Sequence, residues 1–229
     1  MGRLYLSESK CYKSGSIRIT VGIISKWGIP MKENASFFIF SDNTFHSKRY
    51  TWATSIIPRS QMVNRRCHYC SAVDNYPSGE FDVILENGSE FPDMLGCGAY
   101  PFLILSERVI STLVAEKISA FHTFSVGISE IRSKSKMLME TDPPKYYRVE
   151  IDGNCQIDLE ASGLELVHFC PECHYLVTKP RVPNGLQIIS GSWDKSEIFR
   201  DFQFYPRINF CNESLPRIVN LNKFTNFRF

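Results

Sequence analysis

The sequence predicts an α+β protein with a mainly antiparallel sheet and few helices. Short segments rich in β-branched and aromatic residues are separated by turn residues, and only two segments show a helical pattern. Two CxxC pairs, far apart in the chain, indicate that distant segments meet. The chain has 229 residues, 43% of them hydrophobic, so it can bury a substantial core. We therefore expect one mixed domain over residues 1–229, with a division near residue 65 as the alternative.

Eight segments are predicted strands, because β-branched and aromatic residues dominate them and turn-forming residues bound most of them. They comprise residues 4–6, 16–23, 37–40, 81–85, 102–105, 123–128, 146–151 and 165–169. The proline-rich residues 141–144 and 179–185 are predicted loops.

The clearest helix is predicted to follow the strand at 102–105. Ser106 is a favourable N-cap residue, and Glu107 suits the positive end of a helix. Apolar side chains follow at helical spacing: Val109, Ile110, Leu113, Val114 and Ile118. A second helix is predicted over about residues 213–222, where Pro216 lies in the first turn and its missing N–H costs little.

The two CxxC motifs, Cys67-His68-Tyr69-Cys70 and Cys170-Pro171-Glu172-Cys173, predict a metal site. Each motif is a turn that directs two thiolates at one point, and two such turns supply a tetrahedral Zn²⁺ site with Zn–S bonds near 2.3 Å. Four protein thiolates leave no position for water, so this zinc would be structural. The long separation means that the metal would join distant parts of the chain rather than form a short zinc ribbon.

Redox chemistry and disulfides are the alternatives for these cysteines. A redox dithiol would follow a strand and begin a helix, and the sequence around Cys67 suggests neither. No apolar export signal follows Met1, and no apolar run approaches the length of a membrane span. We therefore expect a cytoplasmic protein with reduced thiols, which favours a metal. His68 and His174 adjoin the motifs as alternative ligands. The single cysteines are predicted to be small buried hydrophobic residues: Cys11, Cys97, Cys155 and Cys211.

Charge is unevenly distributed, although the net charge is only +2. Residues 67–106 and 149–178 each contain one CxxC pair and six acidic residues, and neither segment contains Lys or Arg. If the cysteine pairs share a metal, these segments converge into one acidic lobe on an otherwise basic molecule. The alternative is that these acids are solvated independently along strand edges.

No catalytic or nucleic-acid motif is present in the sequence. The chain contains no phosphate-binding glycine loop, no HExxH zinc motif and no GxSxG nucleophile motif. We therefore do not expect an enzyme. Arg65 and Arg66 adjoin the first cysteine pair, but the acids that follow would repel a phosphate backbone. A zinc-ribbon nucleic-acid-binding or regulatory protein remains the alternative function.

Seven motifs, taken in order, carry a resemblance to a known family. They are Cys67-x-x-Cys70, residues 91–96, residues 105–109, residues 159–163, residues 169–173, Trp193 with residues 198–200, and the terminal residues 225–229. This order resembles the double-CxxCG proteins, an immunity family best known from myxobacterial swarm-toxin systems. The resemblance covers about residue 60 to the end, together with the short strand at the start.

The resemblance implies an antitoxin without catalytic activity. It would bind a cognate toxin protein encoded beside it and would block that toxin sterically, with no nucleic-acid or membrane partner. The family's glycine after each second cysteine is replaced by Ser71 and His174, which would have to adopt a positive φ at a cost of about 1–2 kcal/mol. The predicted toxin contacts are acids of the two segments that lack Lys and Arg: Glu80, Asp82, Glu86, Glu90, Asp93, Asp152 and Asp158.

Two further expectations concern the motifs of the resemblance. Residues 105–109 should form a strand-to-helix junction in which Glu107 and Arg108 bond to the loop around Asp93, the alternative being that this pair contacts the toxin. The terminal residues 227–229 should pack against the body of the protein, because two free aromatic side chains would expose apolar area without gain.

Overall fold

A computed structural model describes residues 19–20, 36–43, 48–57, 62–97, 103–180, 185–189, 191–205 and 208–229. Strands predominate among these residues, helices are few, and the sheets are antiparallel or mixed. This composition confirms the predicted balance of secondary structure. No helix in the described ranges combines the length and the apolar character that a membrane span requires.

The described elements, in chain order, comprise strands and three helices. The strands are β1 (Ile19–Thr20), β2 (Ser36–Asp42), β3 (Trp52–Ile57), β4 (Met62–Arg66), β5 (Val73–Pro77), β6 (Phe81–Glu86), β7 (Met94–Leu95), β8 (Leu103–Ser106), β9 (Phe121–Arg132), β10 (Tyr146–Ile151), β11 (Leu164–Phe169), β12 (Leu176–Pro180), β13 (Ile198–Arg200), β14 (Phe204–Tyr205), β15 (Asn209–Asn212) and β16 (Phe227–Arg228). The helices are α1 (Glu107–Ala115), α2 (Lys136–Met139) and α3 (Ser214–Leu221).

The largest sheet has six strands in the order β3-β6-β9-β10-β8-β7. All neighbouring pairs are antiparallel except β6 and β9, which are parallel. Side chains alternate between the two faces, so Leu103 and Leu105 enter one core cluster while Ile104 enters another. Both faces of this sheet are therefore buried at its centre.

Helices α1 and α3 cover one face of the sheet. Val109 and Leu113 of α1 share a core cluster with Leu215 and Ile218 of α3, because the apolar stripes of both helices point inward. Ser106 occupies the N-cap position of α1 as predicted, but its hydroxyl donates to Asp93 and makes no cap hydrogen bond. The second predicted helix is confirmed as α3, with Glu213 at its N-cap.

A second sheet follows the order β1-β2-β15-β13, and β16 pairs with another part of β2. Phe37, Phe199 and Phe210 of this sheet belong to a further core cluster. The rings of Phe199 and Phe210 stack with centroids 5.7 Å apart, and the ring of Trp193 packs against Phe37 in an edge-to-face contact with centroids 4.8 Å apart. Two smaller sheets complete the described part of the chain: β11-β12-β14 and the hairpin β4-β5.

The C-terminal segment packs against the body, as predicted. Phe227 and Arg228 pair with β2, and Phe227 and Phe229 pack on the main core cluster. The side-chain amide of the buried Asn226 donates to the carbonyl of Met94 at 2.7 Å. The terminus is therefore a structural element of the fold.

Several sequence predictions need correction or lie outside the described residues. Residues 179–180 end strand β12 rather than forming a loop, and residues 181–184 are not described. A strand, β4, does precede Cys67, contrary to the expectation from its polar sequence. The predicted strand at 4–6 lies outside the described residues, and of 16–23 only Ile19–Thr20 is described.

Candidate metal centre

Each CxxC motif forms the turn of a β-hairpin. The first lies between β4 and β5, and the backbone N–H of Cys67 closes the turn by donating to the carbonyl of Ala72 at 2.9 Å. The second lies between β11 and β12, where the N–H of Cys170 donates to the carbonyl of Tyr175 at 2.9 Å. The two turns thus have the same construction.

The four thiols of these turns converge. The Sγ atoms of Cys67 and Cys170 are 3.7 Å apart, those of Cys70 and Cys173 are 3.6 Å apart, and all four lie within 4.8 Å of one another. A regular tetrahedron with Zn–S bonds near 2.3 Å has edges of about 3.8 Å. A disulfide would instead need sulfurs about 2.05 Å apart, and all four cysteines are free. The arrangement could hold a metal ion.

The two residues after the second cysteines adopt the backbone conformation that the missing glycines would favour. Ser71 has φ 58° and His174 has φ 57°. Both therefore lie in the left-handed region, which confirms the expectation from the sequence. The hairpin turns keep their shape without glycine, at an energetic cost in each turn.

The thiols strongly influence one another. Burial opposes ionisation of Cys170, but the backbone N–H groups of Cys173 and Glu172 donate towards its sulfur and lower its pKa to about 7. Partial desolvation and the neighbouring thiols raise the pKa of Cys173 to about 12. Without a cation, a second negative charge in the cluster is therefore disfavoured. A bound cation reverses this balance by stabilising the thiolates.

Glu172 makes a direct link between the two turns that the sequence analysis did not foresee. Its Oε2 accepts a hydrogen bond from the backbone N–H of Tyr69 at 3.1 Å and lies 3.5 Å from the Sγ of Cys67. The only signal in the sequence was its position inside the second motif. The two histidines next to the motifs, His68 and His174, are exposed and do not belong to the cluster of ligand atoms.

The other described cysteines are buried, as predicted, and lie outside the cluster. Cys97, Cys155 and Cys211 are each at most 5% exposed. Burial raises the pKa of Cys97 and of Cys155 to about 12, which keeps these thiols neutral. Cys11 lies outside the described residues.

The acids predicted to contact a toxin do not lie together. Glu86 is opposite Arg132 at the end of β9, whereas a carboxylate oxygen of Asp152 lies 3.2 Å from Nε2 of His122 near the start of β9. His122 and Arg132 are ten residues apart in β9, so these two positions are separated by about 33 Å at the rise of a strand. The seven positions therefore cannot form one compact patch.

Several of these acids also have partners within the protein. Glu90 pairs with Arg49 at 2.7 Å, Glu86 pairs with Arg132 at 3.5 Å, and Asp158 accepts from the N–H of Ala161 at 2.9 Å. Glu80 and Asp82 are exposed, at the start of β6.

Asp93 is an internal residue. It is 7% exposed, and its carboxylate accepts hydrogen bonds from the hydroxyl of Ser106 at 2.9 Å, the guanidinium of Arg108 at 2.5 and 3.1 Å, and the backbone N–H of Thr225 at 2.8 Å. This confirms the predicted bond between Arg108 and the Asp93 loop. Glu107 instead pairs with Lys145 at 3.3 Å.

Two comparisons of the sequence with known proteins find no relative. A scan against protein-family models gives no match for this chain, and a search of curated proteins finds none that is significantly similar.

Proposed function

We propose that this chain is an immunity protein, in which a structural Zn²⁺ bound by Cys67, Cys70, Cys170 and Cys173 fixes a surface that binds and blocks a cognate toxin. The observation that carries the proposal is the convergence of four thiols from two hairpins, within 4.8 Å of one another. The same two motifs are the first and the fifth of the seven on which the resemblance to the double-CxxCG immunity family depends.

Zinc is the metal that best fits the cluster. Four thiolates are soft ligands, and sulfur separations of 3.6 and 3.7 Å suit tetrahedral coordination. When bound, Zn²⁺ would supply four bonds that join the hairpins and no open position for a substrate. Its contribution is therefore to stability and rigidity.

The other motifs of the resemblance support a scaffold role. Ser106 and Arg108 both donate to the carboxylate of Asp93, and Thr225 of the terminal segment donates to the same carboxylate. These contacts join three motifs that are distant in the sequence. Residues that maintain a rigid shape are what a steric inhibitor requires, because preorganisation reduces the entropy lost on binding.

The proposed mechanism is steric. The immunity protein occupies or distorts the toxin's active site, so no catalytic group of its own is needed. The partner is the toxin encoded by the adjacent gene, encountered in the cytoplasm. A zinc-ribbon nucleic-acid-binding protein is the second candidate, because Arg65 and Arg66 are exposed at the end of β4, next to Cys67.

Co-expression with the product of the adjacent gene tests the proposal. We expect growth rescue by the wild-type chain, co-purification of the two proteins, and about one Zn per chain by elemental analysis. Binding of nucleic acid without toxin protection would favour the second candidate. Failure to rescue growth, with no complex formed, would refute the immunity function.

A further inference from the structure

Strand β11 is exposed to an unusual degree. Every residue from Glu165 to Phe169 is exposed, and three of them are large and apolar: Leu166 is 49% exposed, Val167 57% and Phe169 41%. Strands of protein sheets ordinarily bury at least one face. Leu166 and Phe169 pair with Thr178 and Leu176, which are two residues apart on β12, so their side chains share one face of the sheet, and Val167 lies at the bulge between them. These exposed apolar side chains have no buried role in the described structure.

One edge of this strand also has no pairing partner within the described ranges. Among the residues that the structure describes, β11 pairs only with β12, at one end of the three-stranded sheet. Open strand edges attract other strands, and proteins often protect them with proline or lysine. The sequence of β11, LELVHF, contains neither, and its one irregularity is a bulge between Leu166 and His168.

The cysteine cluster holds the end of this strand in place. Phe169 is followed directly by Cys170, whose Sγ lies 3.7 Å from that of Cys67 on the other hairpin. That hairpin presents a further aromatic side chain to solvent, Tyr69, which is 69% exposed. Large aromatic side chains on a rigid support are typical of binding surfaces, because little entropy is lost when they are covered.

The charge along β11 and its turn is negative, whereas Arg65 and Arg66 are exposed beside Cys67 on the neighbouring hairpin. Residues 149–178 contain no Lys or Arg, and Glu165 and Glu172 are exposed. Lys179 lies 3.2 Å from Glu165 and offsets one of these charges. A Zn²⁺ bound by four thiolates would add a net charge of about −2 beside Glu172. A segment that covers this surface must therefore supply both apolar and basic side chains.

We infer that the cognate toxin docks on β11 through an extended segment of apolar and basic residues that adds to the open edge of the strand. This inference rests on the proposed immunity function and names the surface that performs it. Main-chain pairing supplies part of the affinity, and contacts with Leu166, Val167 and Phe169 supply the rest. The carboxylates steer the basic segment and make association dependent on salt.

A double substitution that introduces positive charge tests the surface. The probe is the toxin domain encoded by the adjacent gene, titrated into wild type and into the variant Leu166→Arg/Val167→Arg. We expect the variant to bind at least about tenfold more weakly, because two cations replace apolar contacts and repel a basic segment. The matched control is Val114→Arg/Leu221→Arg, at positions 61% and 71% exposed on α1 and α3. It should bind as wild type does.

Hydrogen exchange of the wild-type complex gives a readout that does not depend on variant folding. Toxin binding should slow amide exchange across Leu164–Phe169 and leave α3 unchanged. If the toxin protects other segments, or if the β11 variant binds as tightly as wild type, the surface is wrong while the immunity function stands. If the wild type neither binds the toxin nor rescues growth, the immunity function itself is wrong. A lower melting temperature of the toxin-free β11 variant, with zinc retained, would show that the chain itself covers this strand and would overturn the inference.

Discussion

The Asp93 loop and the cysteine cluster both join distant segments, but by different chemistry. Asp93 contacts Thr225, 132 residues away, through hydrogen bonds in a buried environment. Cys67 and Cys170, 103 residues apart, meet through sulfur atoms at the tips of two hairpins. The first link is complete with protein atoms alone, whereas the second brings together four ligands that suit a metal.

The surroundings explain this difference. Asp93 adjoins Met94, which belongs to the largest core cluster together with Leu105 and Phe224. The hairpins contribute little to any core: Met62 packs against one cluster, and Leu164 and Leu176 pack against another. Hydrophobic burial therefore stabilises the large sheet, and the hairpins need another source of stability. A structural metal is such a source, because its binding free energy becomes folding free energy.

Loss of the metal should have the largest effect, and it should be confined to the hairpins. Cys170→Ser is expected to abolish zinc binding and to speed amide exchange in residues 62–77 and 164–180, while Phe81–Glu86 and Tyr146–Ile151 remain protected. The matched control is Cys211→Ala, a buried thiol outside the cluster. This variant should lower the melting temperature and retain zinc. Equal zinc content in Cys170→Ser and wild type would contradict the metal centre.

Removal of the Asp93 carboxylate should lower the stability of the fold without affecting zinc binding. Asp93→Ala leaves the guanidinium of Arg108, the hydroxyl of Ser106 and the N–H of Thr225 without their acceptor. We expect a loss of about 3 kcal/mol in the free energy of unfolding, the size typical of a broken, largely buried charged network. Zinc content should not change. Denaturant unfolding and elemental analysis together would show whether the two links are independent, and a loss of zinc would show that they are not.

The Asp93 link should also fail in acid. Burial alone would raise the pKa of Asp93, but hydrogen bonds from Arg108, Thr225 and Ser106 hold it below its usual value. A depressed folded-state pKa contributes stability that is complete above the unfolded-state pKa of about 3.9 and is lost as the pH falls through the folded-state value. Wild type should therefore lose stability below about pH 4. The loss should be shallower in Asp93→Asn, and identical pH profiles would exclude this contribution.

Sequence reasoning predicted the parts of the structure whose cause is local. Residues 146–151 form a strand as predicted, because β-branched and aromatic side chains dominate them. The apolar spacing of α1 likewise predicted its buried face, where Val109 and Leu113 lie, although Val114 of the same predicted stripe is exposed. Strand β4 was missed because Asn64, Arg65 and Arg66 have no strand pattern, and only their pairing with β5 makes them a strand.

The candidate site, like the fold, was predictable only where the cause of its geometry is local in the sequence. Cysteine spacing was enough to identify the four clustered thiols, because a CxxC turn positions its own ligands. The distribution of the acids was not predictable, since it depends on the register of β9 against β6 and β10. The role of Asp93 was visible only in part, because its bond to Thr225 requires the terminal segment to return to the core.

The smallest expected effect concerns the two turns themselves. Ser71 and His174 adopt positive φ without being glycine, so each turn contains strain of about 1–2 kcal/mol that glycine would relieve. Because glycine also increases the entropy of the unfolded chain, we expect Ser71→Gly or His174→Gly to stabilise the hairpins by only about 0.5–1 kcal/mol. The gain should appear as slower amide exchange in the hairpins and as slower loss of zinc to a chelator. Amide exchange in the large sheet should not change. Ala72→Gly is the matched control, since Ala72 does not have a positive φ, and it should loosen the same hairpin. If Ser71→Gly weakens zinc retention as Ala72→Gly does, the turn is not strained. The hairpins would then owe their geometry to contacts other than the backbone conformation of the CxxC turns.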